Sequence, residues 1–306
     1  MVFPGQGSQS QGMQADLAER FAEVGETYQE AADILGYDLW QLVQEGPAER
    51  LGETTVTQPA MLTAGVAAWR AWQAAGGETP EWMAGHSLGE YSALVCAGSV
   101  SFADALTVVK RRSELMQAAV PAGEGAMAAI IGLDDDSVVA VCKEAASDGV
   151  ADAVNFNAPG QVVIAGDTAA IDRAIELAKT RGARRAMPLP VSVPAHSALM
   201  RGAGEALADA LAAANFVAPE IDVIAASDAK PYTDGTDIRT RLSRQVYSPV
   251  RWVDTIGAMT AGGATAIIEC GPGKVLAGLM RRIDKSVPCA YIDSSDSLDK
   301  ALQGED

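Results

Sequence analysis

A chain of 306 residues with 48% apolar and 21% charged side chains can form one large α/β domain, alone or with a smaller insert, and is too apolar for disorder. Its net charge of −17 argues against nonspecific contact with nucleic acid or anionic membranes, and an acidic protein partner would need a local basic patch. No stretch approaches the ~18 apolar residues of a membrane span, no leader-like segment follows Met1, and Cys96, Cys142, Cys270 and Cys289 lack metal or redox spacing; a cytoplasmic protein with reduced thiols is expected.

In chain order, Val2-Phe3 reads as the end of a first strand, with Pro4-Gly5-Gln6-Gly7-Ser8-Gln9 as a glycine-bearing loop behind it. The dinucleotide fingerprint fails there because Ser10 takes the third glycine position; the glycines instead allow a backbone N–H to approach a substrate. Residues 13–37 have helical periodicity, and 39–51 continue it in shorter pieces. Thr57-Gln58-Pro59 should open a long apolar helix over 60–75, suited to burial beneath a sheet. Residues 82–85 read as a strand and 88–96 as the helix after it. Ser101 and Asp104 form a variant capping box for a helix that runs through Lys110-Arg111-Arg112 to about 120. Consecutive helix residues lie ~100° apart, so those three cations cannot share a face and one can point inward.

After Pro121-Ala122-Gly123-Glu124-Gly125 the rhythm changes. Strand 126–133, helix 134–146, strands 151–157 and 161–165, helix 168–180 and strand 184–191 follow the β-α-β-β-α-β order of the ferredoxin-like pattern. The run Asp134-Asp135-Asp136 at a helix start fits capping and the helix dipole better than a metal site. From 193 the earlier style resumes, with a helix over 199–214, a strand over 221–225 and a turn over 227–231. Helices over 238–246 and 252–261 and a strand over 264–269 come next. The turn over 270–274 lacks the glycine and hydroxyl residue of a phosphate loop. The expected fold is α/β: a large α/β-hydrolase-like domain with a parallel sheet, made of 1–121 and 193–306, interrupted by a small ferredoxin-like subdomain over 122–192.

The chemistry gathers at Gly85-His86-Ser87-Leu88-Gly89. Gly-x-Ser-x-Gly between a strand and a helix makes a nucleophile elbow, in which the two glycines lie against each other and the serine sits at a helix N-terminus. Free backbone N–H groups there can hold a developing oxyanion. In a chain rich in Gly, Ala and Ser the pentapeptide alone also fits chance, so a partner base must decide. A serine nucleophile needs a base of near-neutral pKa, and the chain has only two histidines. His86 adjoins the nucleophile and projects away from it in a tight elbow, which leaves His196. No aspartate stands out to hold its second nitrogen; a backbone or amide carbonyl would serve, and the loop over 245–249 is suited to supply one.

Six segments appear in order: Phe3 to Gln9, Gly85 to Tyr91, Val154 to Gly166, Leu189 to His196, Gln245 to Trp252 and Glu269 to Leu276. Together they resemble the malonyl-CoA:acyl-carrier-protein transacylase family of bacterial fatty acid synthesis, over essentially the whole chain. The resemblance implies Ser87 as the acylated nucleophile, His196 as its base and the Gln245 backbone carbonyl as the group orienting His196. It implies an oxyanion hole from the N–H groups of Gln6 and Leu88, a carboxylate-binding Arg112, and Asn157 near an entrance formed by the small subdomain. It also implies malonyl-CoA as substrate, an acyl carrier protein as transient partner, and no cofactor or metal. Departures are few: the N-terminus is short, Ser113 replaces a common Gly, and Ala225-Ala226-Ser227 replaces an Asn-containing stretch. Lys179, Arg181, Arg184 and Arg185, all in the inserted segment, would supply part of the local basic patch for an acidic carrier. Competing readings are an acyltransferase for polyketide assembly or another extender unit, a serine esterase or thioesterase, and a non-catalytic binding module.

Overall fold

The computed structural model describes residues 1–147, 149–191 and 193–305. Its strands are β1 (Val2–Phe3), β2 (Trp82–Gly85), β3 (Gly125–Ile131), β4 (Ala151–Ala158), β5 (Gln161–Asp167), β6 (Arg185–Pro188), β7 (Asp222–Ala225), β8 (Lys230–Pro231), β9 (Ile267–Cys270) and β10 (Cys289–Ile292). They form two sheets, of order β10-β9-β1-β2-β7-β8 and β4-β5-β3-β6. In the first sheet β10, β9, β1, β2 and β7 are mutually parallel, and β8 adds antiparallel to β7. Helices cover such a sheet on both faces, so its strands read as unbroken apolar runs such as Val2-Phe3 and Met83-Ala84. The register pairs Val2 with Ala84 and Phe3 with Gly85. The loop after β1 and the elbow after β2 therefore leave the sheet side by side at its carboxyl edge, where open α/β sheets place their ligands.

The long apolar helix behind this sheet is Thr54–Ala74, starting earlier than the expected 60 and carrying Pro59 inside it. Burial on nearly every side outweighs the one N–H that proline lacks, and Thr57 Oγ1 ties the first turn to the Leu51 carbonyl at 2.5 Å. The helix expected over 13–37 is two, Ala15–Arg20 and Ala22–Leu35, divided where Phe21 turns extended and buries its ring. Ser101 caps helix Phe102–Ala118 by accepting from the Asp104 N–H at 3.0 Å. The return bond of a capping box does not form; the Asp104 carboxylate accepts from the Asn215 N–H instead. Asp134 caps helix Asp135–Ala146 through the Ser137 N–H, as the dipole argument anticipated.

The second sheet is antiparallel throughout. Strand side chains alternate, so Ala128, Ile130, Val162 and Ile164 pack under helices Asp135–Ala146 and Thr168–Thr180. Met127, Val163 and Ala165 face the other way, towards Leu189 and Ala195. β4 is stitched to the large sheet's layer: Val250 N–H donates to the Val154 carbonyl at 2.8 Å, and Phe156 N–H donates to the Val250 carbonyl at 2.9 Å. The strand expected over 184–191 is shorter, Arg185–Pro188; the Leu189 N–H still reaches the Met127 carbonyl at 2.9 Å, and Pro190 has no N–H to carry the ladder further. β8, β10 and the final helix Ser295–Leu302 were not anticipated.

Candidate active site

Ser87 stands on the turn between β2 and helix Gly89–Cys96 with φ 52°, a left-handed value that costs a non-glycine residue strain. The turn closes only because its flanks have no side chains. A Cβ on Gly85 would lie 1.9 Å from the Gly89 carbonyl carbon, and one on Gly89 would lie 2.1 Å from the Phe3 oxygen. Ser87 Oγ lies 2.7 Å from His196 Nε2. Nδ1 of that ring lies 2.8 Å from the Gln245 carbonyl and 3.1 Å from the Ser248 carbonyl. Carbonyls only accept, so the proton sits on Nδ1 and Nε2 is free to accept from the serine. His196 also has positive φ, 67°, and its own N–H is fixed to the Val246 carbonyl at 3.0 Å. Burial, reinforced by the Arg112 charge, pulls the His196 pKa down to about 3, so the ring is neutral at physiological pH.

Arg112 is 1% exposed and projects from helix Phe102–Ala118 into this site, whereas Arg111 stays at the surface against Glu114. Nη1 donates to Gln58 Oε1 at 2.5 Å and Nη2 to Gln245 Oε1 at 3.1 Å, and the Tyr91 ring lies 5.7 Å from its guanidinium carbon. It forms no ion pair among the described residues, and Nε has no partner. A buried guanidinium held by amides alone is an open receptor for a carboxylate.

Gln6 follows β1 and Leu88 precedes helix Gly89–Cys96, on the two adjacent loops that leave the carboxyl edge of the sheet. His86 turns away from the serine, and its Nε2 meets Asn157 Oδ1 at 2.8 Å. Asn157 lies on β4, so this contact bridges the elbow and the antiparallel sheet. A cavity of about 300 Å³ separates the two sheets; Gln6, Ser87, Leu88, Arg112, Asn157 and His196 are among its lining. Met127, Val163 and Val191 supply an apolar wall opposite the serine. Among the described residues no three His, Cys, Asp or Glu side chains cluster in a metal-binding arrangement.

The model of the acyl transferase domain matches residues 1–294. The chain belongs to this family. Within it, the chain is 53% identical over 302 residues to the malonyl CoA-acyl carrier protein transacylase of Escherichia coli strain K12, covering 99% of this chain and 98% of that one. The acyl carrier protein S-malonyltransferase of Vibrio cholerae superposes with a TM-score of 0.96 at 55% identity, over 98% of both chains. The malonyl-transacylase PlMCAT, solved with the type II polyketide acyl-carrier protein AntF, superposes at 0.98 with 51% identity, over 100% of this chain and 99% of that one.

All seven site residues singled out from the sequence meet at this cavity, Gln245 beneath it and the other six on its wall. Gln58, Glu90 and Tyr232 also belong to the constellation and were missed, whereas the Ser248 carbonyl comes from the 245–249 loop expected to hold His196. Glu90 had a signal: an acid directly behind the elbow, in a helix otherwise apolar enough to be buried. The proposed basic patch is less coherent. Lys179 pairs with Glu176 and Arg181 with Glu144, and helix Thr168–Thr180, which carries Lys179 and ends just before Arg181, covers the sheet face away from the cavity.

Proposed function

We infer that the chain transfers malonyl from malonyl-CoA to the pantetheine thiol of an acyl carrier protein, supplying extender units for fatty acid synthesis. The observation that carries this reading is the buried, unpaired Arg112 beside a Ser87–His196 pair. His196 Nε2 takes the Ser87 proton as Oγ attacks the malonyl thioester carbonyl. The N–H groups of Gln6 and Leu88 hold the oxyanion of the tetrahedral intermediate. The CoA sulfur leaves with the proton from His196, and malonyl stays on Ser87 as an ester. The carrier thiol then gives its proton to His196, attacks the ester, and the serine leaves with that proton. The main-chain carbonyl of Gln245 holds His196 throughout, in place of a triad carboxylate.

Arg112 pairs with the free malonyl carboxylate; acetyl would leave that cation buried and unmatched. A hydrolase site has no need for such a receptor. Serine, histidine and arginine suffice for the chemistry, so the reading requires no cofactor. We assign 1–121 and 193–306 to the catalytic domain and 122–192 to an inserted subdomain that roofs the cavity and presents Asn157 at its entrance. We place the protein in the cytoplasm, which suits cysteines that form no disulfide among the described residues; among those residues no helix is long and apolar enough to cross a membrane. The likeness to a transacylase solved with a polyketide carrier makes a polyketide carrier the second reading.

Arg112→Ala tests the assignment. Two charge-assisted bonds are worth about 1.5–3 kcal/mol each, so malonyl kcat/KM should fall about 10³-fold, with acetyl transfer changed far less. Equal losses with both donors would remove Arg112 from acyl recognition.

A further inference from the structure

Beneath the cavity floor lies a buried polar chain that the reaction above does not use. Glu90, in the elbow helix Gly89–Cys96, is 0% exposed. Its Oε1 accepts from the Tyr232 hydroxyl, and its Oε2 accepts from Gln245 Nε2 at 2.9 Å and from the Ala226 N–H at 3.4 Å. Every partner is a donor, which is the environment of an acceptor-only carboxylate. The Gln245 amide has two N–H groups and uses both, one on Glu90 and one on the Ser87 carbonyl at 2.9 Å. Its oxygen then faces Arg112, at 3.1 Å from Nη2. Arginine only donates and a carboxylate only accepts, so a single orientation of the amide satisfies both ends.

We propose that Glu90 is a positioning residue for acyl recognition, fixing through the Gln245 side-chain amide the direction in which Arg112 presents its guanidinium. Arg112 has its anion at one remove. Glu90 anchors the far end of the amide without pairing with the cation, so the guanidinium stays aimed and unneutralised until a substrate carboxylate arrives. Remove the carboxylate and one Gln245 N–H is buried without an acceptor, which is costly to leave unmade. Rotating the amide relieves that cost and takes its oxygen off Arg112. Glu90→Gln can keep the arrangement: its oxygen takes the Gln245 side, and its NH₂ donates to the Tyr232 oxygen, since a phenol can accept as well as donate.

This proposal rests on Arg112 as the carboxylate receptor, and the experiment separates the two. The rate of Ser87 acylation is measured with malonyl-CoA and acetyl-CoA for wild type, Arg112→Ala, Glu90→Ala, Glu90→Gln and Gln245→Met. Glu90→Ala should lower the malonyl-to-acetyl ratio of kcat/KM at least tenfold, through a raised KM for malonyl-CoA. Glu90→Gln should stay within threefold of wild type. Gln245→Met keeps the carbonyl that holds His196 and should reproduce the Glu90→Ala loss; adding Glu90→Ala to it should lower the ratio no further. An unchanged ratio in Glu90→Ala or in Gln245→Met overturns the proposal, as does a loss in Glu90→Gln equal to that in Glu90→Ala. If Glu90→Ala fails to fold, the Gln245→Met and Glu90→Gln ratios decide alone. If Arg112→Ala lowers both donors equally, the receptor reading itself fails; if it discriminates and the Glu90 variants do not, only this proposal falls.

Discussion

The proposed role of His196, accepting a proton from Ser87, requires a neutral ring, and its surroundings keep it so over a wide range. Burial, then the Arg112 cation, lowers its pKa from 6.5 to about 3, so acidification through the ordinary histidine range does not protonate the free enzyme. The pH profile of kcat/KM reports free-enzyme groups, and it should stay flat on its acid side from pH 8 down to about 5. An acid limb centred near 6.5 would mean that His196 is solvated in the working enzyme. At this scale the sequence was legible where the information was local or scarce. The elbow is written in five consecutive residues, and two histidines leave one candidate base once His86 is turned away. The Glu90–Gln245–Arg112 chain was not legible, because its members lie up to 155 positions apart and meet only after helices Phe102–Ala118 and Gly235–Gln245 have packed.

At the level of elements, the elbow depends on two strand-to-helix contacts that leave no room for a side chain. A methyl on Gly85 would meet backbone at 1.9 Å, and backbone cannot rotate aside as a flexible side chain can. Gly85→Ala should therefore cost at least about 3 kcal/mol, at the upper end of overpacking penalties, and lower the denaturant midpoint accordingly. A midpoint equal to wild type would show that the turn can open without loss. Periodicity located most helices because apolar faces repeat visibly, and it misplaced their ends where packing overrides local preference. Pro59 looked like a helix start and lies inside one, since Thr54–Ala74 is buried on nearly every side. β8 is Lys230-Pro231, inside a turn-rich stretch and ending on a proline, so it reads as turn. The β-α-β-β-α-β order of 122–192 was readable because each of its strands and helices is bounded by turn residues. Its stitch to Val250 was not, being a pairing across the chain.

For the whole molecule, the two sheets divide the work. The parallel sheet supplies the elbow and the Gln6 loop from adjacent strands, and the antiparallel sheet closes the opposite wall with Met127, Val163 and Asn157. The serine thus sits in a cavity of about 300 Å³ with a cation at one end, suited to a short acyl group that ends in a carboxylate. Such a site must hold malonyl as an ester until a thiol arrives, and must not lose it to water. Intact-protein mass spectrometry after malonyl-CoA, and again after reduced carrier protein, tests this directly. One malonyl should be gained on Ser87, stable in the absence of the carrier, absent from Ser87→Ala, and transferred quantitatively to the carrier thiol. Loss of the malonyl to water at the same rate with and without carrier would contradict it and make the protein a hydrolase.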